Sequence, residues 1–316
     1  MRVVFMGTPP FAVAILEALL GSTHQVVGVV TAPDRPAGRG KKLKPSAVKV
    51  RAQEQQLPLL QPEKLRDPLF NKALQEWGAE LFVVVAFRML PQMVWSLPPR
   101  GTINLHASLL PQYRGAAPIN WAIINGESES GVTTFFINEH IDEGAVLLQQ
   151  RVAIAPHDTA GDLHDKLMQA GAPLVVQTLD LLEEDRLQAQ PQPSAGDTLH
   201  GAPKLFKDDL KLSARESALK LWRKIKGLSP YPAAYFEAMP DEGDSPVPIK
   251  VLLARPAEGI VQRAAGTVEV AKPNTIVLHT KDGALRLEQL QWPGKKRMSA
   301  QEVLNGQLIN AQWRFW

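Results

Sequence analysis

The chain reads as an α/β protein: a doubly wound, mostly parallel sheet with helices on both faces, followed by a small β-barrel domain. Three observations predict this. Apolar strand-like runs alternate with helical patterns from Arg2 to about residue 106. A Gln/Pro-rich stretch, Gln188–Asp197, then interrupts the pattern. Beyond Pro230 the period changes to short strand-like runs parted by Pro, Asn and Gly turns. The expected division is a catalytic domain over 1–187, a linker over 188–208 and a β-barrel domain over 209–316.

The elements follow in order. Arg2–Met6 is a buried strand, Gly7–Pro10 a turn, and Phe11–Leu20 a helix with apolar residues at 11, 15, 16, 19 and 20. Gly21 stops that helix, and Gln25–Thr31 is the second strand. Gly-x-Gly-x-x-Gly is absent from this β-α-β opening, which argues against a dinucleotide site. Residues 32–44 carry Pro33, Pro36, Gly38 and Gly40 and read as an irregular loop. Helices are expected over Pro45–Gln56 and Pro68–Trp77. Glu80–Phe87 is apolar after its first residue, the pattern of a strand covered on both faces. Gly101–His106 is a shorter strand, and Gly115–Asn125 a helix. Gly131–Ile137 and Ala145–Arg151 are strands with Asp142 in the turn between them. Asp158–Leu182 is a long helix, capped by Asp158 or Thr159 and kinked or split near Pro173. Ser213–Ile225 is a helix; Ile249–Ala254, Gly266–Val270, Thr275–Thr280 and Ala284–Gln291 are the strands of a compact barrel, with an oligonucleotide-binding type among the options.

Composition narrows the chemistry. There is no cysteine, and the seven histidines fit no zinc-binding spacing, so no metal is expected. No apolar run is long enough to cross a bilayer, and the first residues lack a signal-peptide layout, so the cytoplasm is the expected compartment. The net charge is +3, but unevenly spread. Residues 34–51 hold seven basic side chains and one acid, and residues 191–316 hold 18 basic against 13 acidic. This is the footprint of a polyanion partner or of an ordinary solvated surface.

The chemistry concentrates at Asn104-Leu105-His106-Ala107-Ser108-Leu109-Leu110-Pro111-Gln112-Tyr113-Arg114-Gly115. On a strand, residues two apart share a face, so Asn104 and His106 point together. Asp142 supplies a carboxylate. An amide, an imidazole and a carboxylate can polarise a carbonyl, move a proton and orient its carrier, which points to acyl-type transfer. Ser108 has no separate base and is a weak nucleophile candidate. Arg114 reads either as a lead into the next helix or as a positioning group.

This pattern resembles the catalytic motif of the 10-formyltetrahydrofolate-dependent formyltransferases. Ala32–Leu43, Ala202–Lys207 and Trp292–Ala300 resemble segments of the branch that acts on methionyl initiator tRNA, and the likeness runs nearly end to end. The resemblance implies a Rossmann-like catalytic domain and an oligonucleotide-binding-like barrel. It implies formyl transfer from 10-formyltetrahydrofolate to the α-amine of methionine on initiator tRNA, by a monomer. It assigns Asn104, His106 and Asp142 to catalysis. It assigns the folate to Phe87, Arg88, Met89, Leu90, Ser108, Leu109, Leu110, Pro111, Ile137, Glu139 and Asp142. It assigns RNA contact to Arg35, Arg39, Lys41, Lys42, Lys44, Lys204, Lys207, Lys295, Lys296 and Arg297, with Lys224 and Lys226 as further candidates. Arg88 stands where relatives often have Gly, and either alters the folate-side loop or points outward. Competing readings are a small amine acceptor, such as a nucleotide sugar or glycinamide ribonucleotide, and an inactive nucleic-acid-binding module.

Overall fold

Strand β1 (Arg2–Gly7) is buried from Val3 to Met6 and lies inside its sheet, with a strand paired on either side. The structure, a computed structural model, describes residues 1–37, 42–193, 199–240, 245–271 and 273–316. Following β1 are α1 (Pro10–Leu20), β2 (Gln25–Val30), β3 (Arg35–Ala37), β4 (Lys42–Lys44), α2 (Ala47–Glu54), β5 (Leu59–Leu60), α3 (Pro68–Glu76) and β6 (Leu81–Val85). Next come α4 (Gln92–Trp95), β7 (Thr102–His106), β8 (Arg114–Gly115), α5 (Pro118–Asn125), β9 (Glu129–Phe136), β10 (Val146–Ala153), α6 (Ala160–Glu183) and β11 (Gly201–Ala202). The rest are α7 (Ala218–Leu228), β12 (Ala234–Met239), β13 (Val247–Pro256), β14 (Val268–Ala271), β15 (Thr275–His279), β16 (Ala284–Gln291), β17 (Met298–Ser299), α8 (Ala300–Asn305) and β18 (Arg314–Phe315). Residues 1–118, 129–153 and 164–201 group as one unit, and 119–128, 154–163 and 202–316 as a second.

The first unit holds a seven-stranded sheet in the order β10-β9-β7-β6-β1-β2-β5. The pairs from β7 through β5 are parallel, and β9 and β10 add antiparallel strands at one side. Thus the doubly wound opening gives way to a hairpin just where Asn104 and His106 stand. Val4, Met6, Phe82, Val84 and Leu90 are buried in one apolar cluster with Phe70 and Leu74 of α3. Gly28 in β2 meets the Trp77 ring so closely that a β-carbon would overlap it.

One expectation is corrected here, and one of two alternatives is closed. Residues 35–44 are not wholly irregular: β3 and β4 pair antiparallel, with Arg35 opposite Lys44, Pro36 opposite Leu43 and Ala37 opposite Lys42. A two-stranded ladder tolerates Pro36, since a strand with only one neighbour needs only part of its N–H groups paired. The long helix is not split: α6 runs through Pro173. The proline forfeits one N–H, and buried Leu163, Leu167, Leu174, Val175 and Leu179 hold the helix on either side. Thr159 is its cap, accepting from the Asp162 N–H while the Asp162 carboxylate accepts from the Thr159 N–H.

The second unit holds an antiparallel sheet in the order β14-β15-β16-β13-β12-β18, with β17 paired to β16. A bridge between Thr267 and Arg314 joins the approach to β14 to β18, so the sheet closes into a barrel. Its interior holds Phe236, Ile249, Val251, Leu278, Leu285, Leu287, Leu290 and Phe315, and the Phe236 and Phe315 rings meet edge to face at 5.5 Å. Trp222 and Trp313 pack against this core, whereas Trp316 is half exposed.

Candidate active site

The parallel register sets Val84 beside Asn104 and Val85 beside Leu105. Residues 86–90 therefore leave the sheet next to Asn104, at the carboxyl ends of β6 and β7, where open α/β sheets bind ligands. The chain turns out of β6 at Ala86, whose φ is 46°. Phe87 and Ile137 pack against the same apolar cluster that buries Leu90. Met89 and Glu139 are exposed. A groove of about 430 Å³ is lined by Lys64, Leu65, Arg66, Arg88, Met89, Leu90 and Pro91. Arg88 donates to the Pro62 and Glu63 carbonyls and lies over the Phe87 ring. Burial, and then the neighbouring Arg35 charge, pull its guanidinium below its ordinary pKa.

His106 is buried at the end of β7. Its Nε2 lies 2.9 Å from the Tyr113 carbonyl oxygen. A carbonyl cannot donate, so Nε2 carries a proton, and Nδ1 is left for proton exchange. Tyr113 aims that carbonyl from a left-handed conformation, φ 59°, and its N–H donates to the His200 carbonyl at 2.7 Å. Asp142 Oδ2 faces Nδ1 at 3.8 Å, beyond hydrogen-bond range, so the backbone rather than the carboxylate fixes the ring. Asp142 also adopts a left-handed conformation, φ 56°, and its Oδ2 accepts the Gly115 N–H at 2.9 Å. Beyond it, a β-carbon on Gly144 would overlap the Phe136 carbonyl, so the turn closes only around glycine. Among the described residues, the buried Asn104 Oδ1 has no hydrogen-bond partner.

The loop after β7 is pinned from below. The Thr133 hydroxyl donates to the Ser108 carbonyl and accepts from the Leu110 N–H, and Gln149 Nε2 donates to both the Leu110 carbonyl and Thr133. Ser108 is fully buried, its hydroxyl donating to the Gln112 carbonyl at 2.6 Å. Leu109 and Pro111 are half-buried and Leu110 is buried. The structure thus brings His106 and Asp142 together, with Asn104 two residues before His106 on the same face of β7. Sequence reasoning missed the Tyr113 carbonyl, Thr133, Gln149 and Gln192. Gln192 donates to the Asp142 and Gly144 carbonyls at 2.9 and 2.8 Å. Backbone partners leave no residue signature, and a Gln between two prolines reads as linker.

The basic candidates are scattered. Arg35 and Lys44 are exposed. Arg39, Lys41 and the Lys42 side chain lie outside the described residues. Lys204 sits over the Phe206 ring, Lys207 and Lys295 are exposed, Lys296 pairs with Glu302, and Arg297 donates to the Pro230 carbonyl. Lys224 and Lys226 turn inward instead, donating to the Lys211 and Pro156 carbonyls. Burial holds both ammonium groups below the usual lysine range.

Among the described residues no helix is long and apolar enough to cross a membrane. Two family models match the chain: formyl transferase over residues 1–179 and formyl transferase, C-terminal domain, over 204–308. A methionyl-tRNA formyltransferase of Bacteroides fragilis is 47% identical over 97% of this chain and 95% of its own. One of Bacteroides thetaiotaomicron is 48% identical over the same shares. Among solved structures, an N-formyltransferase of Helicobacter canadensis in complex with folinic acid and dTDP-3-aminofucose superposes with TM-score 0.65 at 17% identity, over 91% of this chain and 98% of that one. HypX of Aquifex aeolicus in complex with tetrahydrofolic acid gives 0.63 at 18%, over 98% of this chain and 47% of that one. These two likenesses show the fold alone. The two family models and the long matches at nearly half identity establish that the chain belongs to the formyl transferase family, in its methionyl-tRNA formyltransferase branch.

Proposed function

We propose that this enzyme transfers the formyl group of 10-formyltetrahydrofolate to the free α-amino group of methionine attached to initiator tRNA. The observation that carries the reading is the convergence of Asn104, His106 and Asp142 in a chain 47% identical, almost end to end, to a methionyl-tRNA formyltransferase. The buried, unpartnered Asn104 amide oxygen suits a site whose missing partner is a substrate.

The α-amine must be neutral to attack the formyl carbon. As its nitrogen bonds to that carbon, the C=O pair moves onto oxygen. The Asn104 amide N–H donates to that oxygen, and one such preorganised donor is worth about 3–4 kcal/mol. The C–N10 bond then breaks, its electron pair goes to N10, and N10 takes a proton while the amine loses one. His106 Nδ1 and the Asp142 carboxylate stand 3.8 Å apart, beyond a direct hydrogen bond, so a bridging water passes the amine proton from Asp142 to Nδ1 and on to N10. His106 donates toward N10, and Asp142 takes the amine proton directly or through water. No covalent enzyme intermediate and no metal is required.

The folate lies along Phe87–Leu90, residues 108–111 and Ile137–Asp142. Residues 1–187 carry the chemistry, 188–208 link, and 209–316 grip the tRNA by shape and phosphate contacts. Arg35 opposite Lys44 in the β3–β4 ladder supports an anion there, because like charges in register repel until one intervenes. Arg39 and Lys41 extend this basic loop, and Lys204, Lys207, Lys295, Lys296 and Arg297 are the second unit's contacts. The enzyme works as a cytoplasmic monomer. The test is formyl transfer from 10-formyltetrahydrofolate to methionyl initiator tRNA, with glycinamide ribonucleotide as parallel acceptor. Labelling of the tRNA alone is expected; labelling of the small acceptor alone would overturn the tRNA assignment.

A further inference from the structure

Asp142 has its reach fixed at two places. Its carboxylate accepts the Gly115 N–H directly. Its carbonyl, and that of Gly144, accept from a single amide, Nε2 of Gln192. The other end of that amide, Oε1, accepts from Nε and Nη2 of Arg114 at 3.0 and 2.8 Å. Arg114 Nη1 in turn pairs with Glu143 Oε1 at 3.1 Å. The dipeptide Arg114-Gly115 therefore holds the Asp142 carboxylate by its own backbone, and the Asp142 backbone through Gln192.

We propose that Gln192 is a positioning residue for formyl transfer: it locks the 142–144 turn and so sets where the Asp142 carboxylate stands against His106. Three physical arguments support it. A non-glycine residue such as Asp142 at φ 56° is strained and persists only where its surroundings over-determine it. A charged guanidinium on Oε1 polarises the amide and strengthens its donor end, so the Arg114 and turn bonds reinforce each other. The circuit also engages all three Arg114 side-chain nitrogens, which makes Arg114 part of the clamp rather than a free anchor for a substrate phosphate.

The inference rests on the formyl-transfer reading, and its test has one arm that does not. In the full-length protein, hydrogen exchange of the Gly115 amide reports the Asp142 carboxylate without any substrate. Gln192→Ala is expected to speed that exchange relative to the native protein. Gln192→Glu keeps the acceptor for Arg114 but replaces the donor facing two carbonyls, and it is expected to be as damaging. In formylation assays both variants should lose about 10²-fold in kcat while KM for folate and tRNA stays within roughly twofold, the signature of misplacement. On an Asp142→Asn background, Gln192→Ala should add little, because the residue acts through that carboxylate. Unchanged Gly115 exchange, full activity of Gln192→Glu, or additive losses in the double variant would each overturn the proposal.

Discussion

Asn104 keeps a buried amide oxygen with no partner among the described residues, a state that costs about 1–3 kcal/mol. Replacing it by Ala removes that cost together with the donor, so stability and activity should part company. Asn104→Ala is expected to melt no lower than the native protein while kcat falls by about 10²–10³-fold. Thermal melting and single-turnover formylation check this; lower stability with an unchanged rate would refute the role. Asn104 and His106 were legible in sequence because a period of two puts them on one face. The groups that aim them were not. The Tyr113 carbonyl carries no residue identity, and the backbone bonds of Gln192 depend on a chain path that returns from 50 residues away.

At the scale of elements, the strand and helix patterns were legible wherever burial is one-sided or complete, as in β1 and β6. The β3–β4 ladder was hidden by its prolines and glycines, which mark turns and cannot reveal three paired residues at their base. Gly28 reads only as a breaker in a valine run, yet its missing side chain is the seat of Trp77. Gly28→Ala should destabilise by about 1–3 kcal/mol, measured by denaturant unfolding, because a ring of that size cannot be displaced without moving α3. Helix α8 begins with a capping box: Ser299 accepts from the Glu302 N–H, and the Glu302 carboxylate accepts from Ser299. The Ser299 backbone N–H, helped by Lys296, holds the Glu302 carboxyl below its usual range. A depressed folded-state value means that this contribution is present at neutral pH and is lost as pH falls through that value. Glu302→Gln should therefore lower the melting temperature at pH 7 and matter progressively less in acid.

For the whole molecule, charge position counts for more than net charge. The 191–316 segment carries an excess of five basic residues, but Lys224 and Lys226 spend theirs on backbone carbonyls. Binding of acylated initiator tRNA should weaken steeply with salt, by about 0.7–0.9 in log–log slope per phosphate contact. Arg35→Ala and Lys295→Ala should each flatten the slope, Lys224→Ala should not, and folate binding should stay nearly salt-independent. Equal slopes for tRNA and folate would remove the case for these contacts. The barrel adds a constraint of another kind. With Arg314 bridged to Thr267, the sheet meets itself and offers no bare row of main-chain donors and acceptors there. At that seam a visiting strand finds no free edge to pair with. Recognition along that seam falls to side chains and loops rather than to strand addition, which suits a partner with a charged backbone.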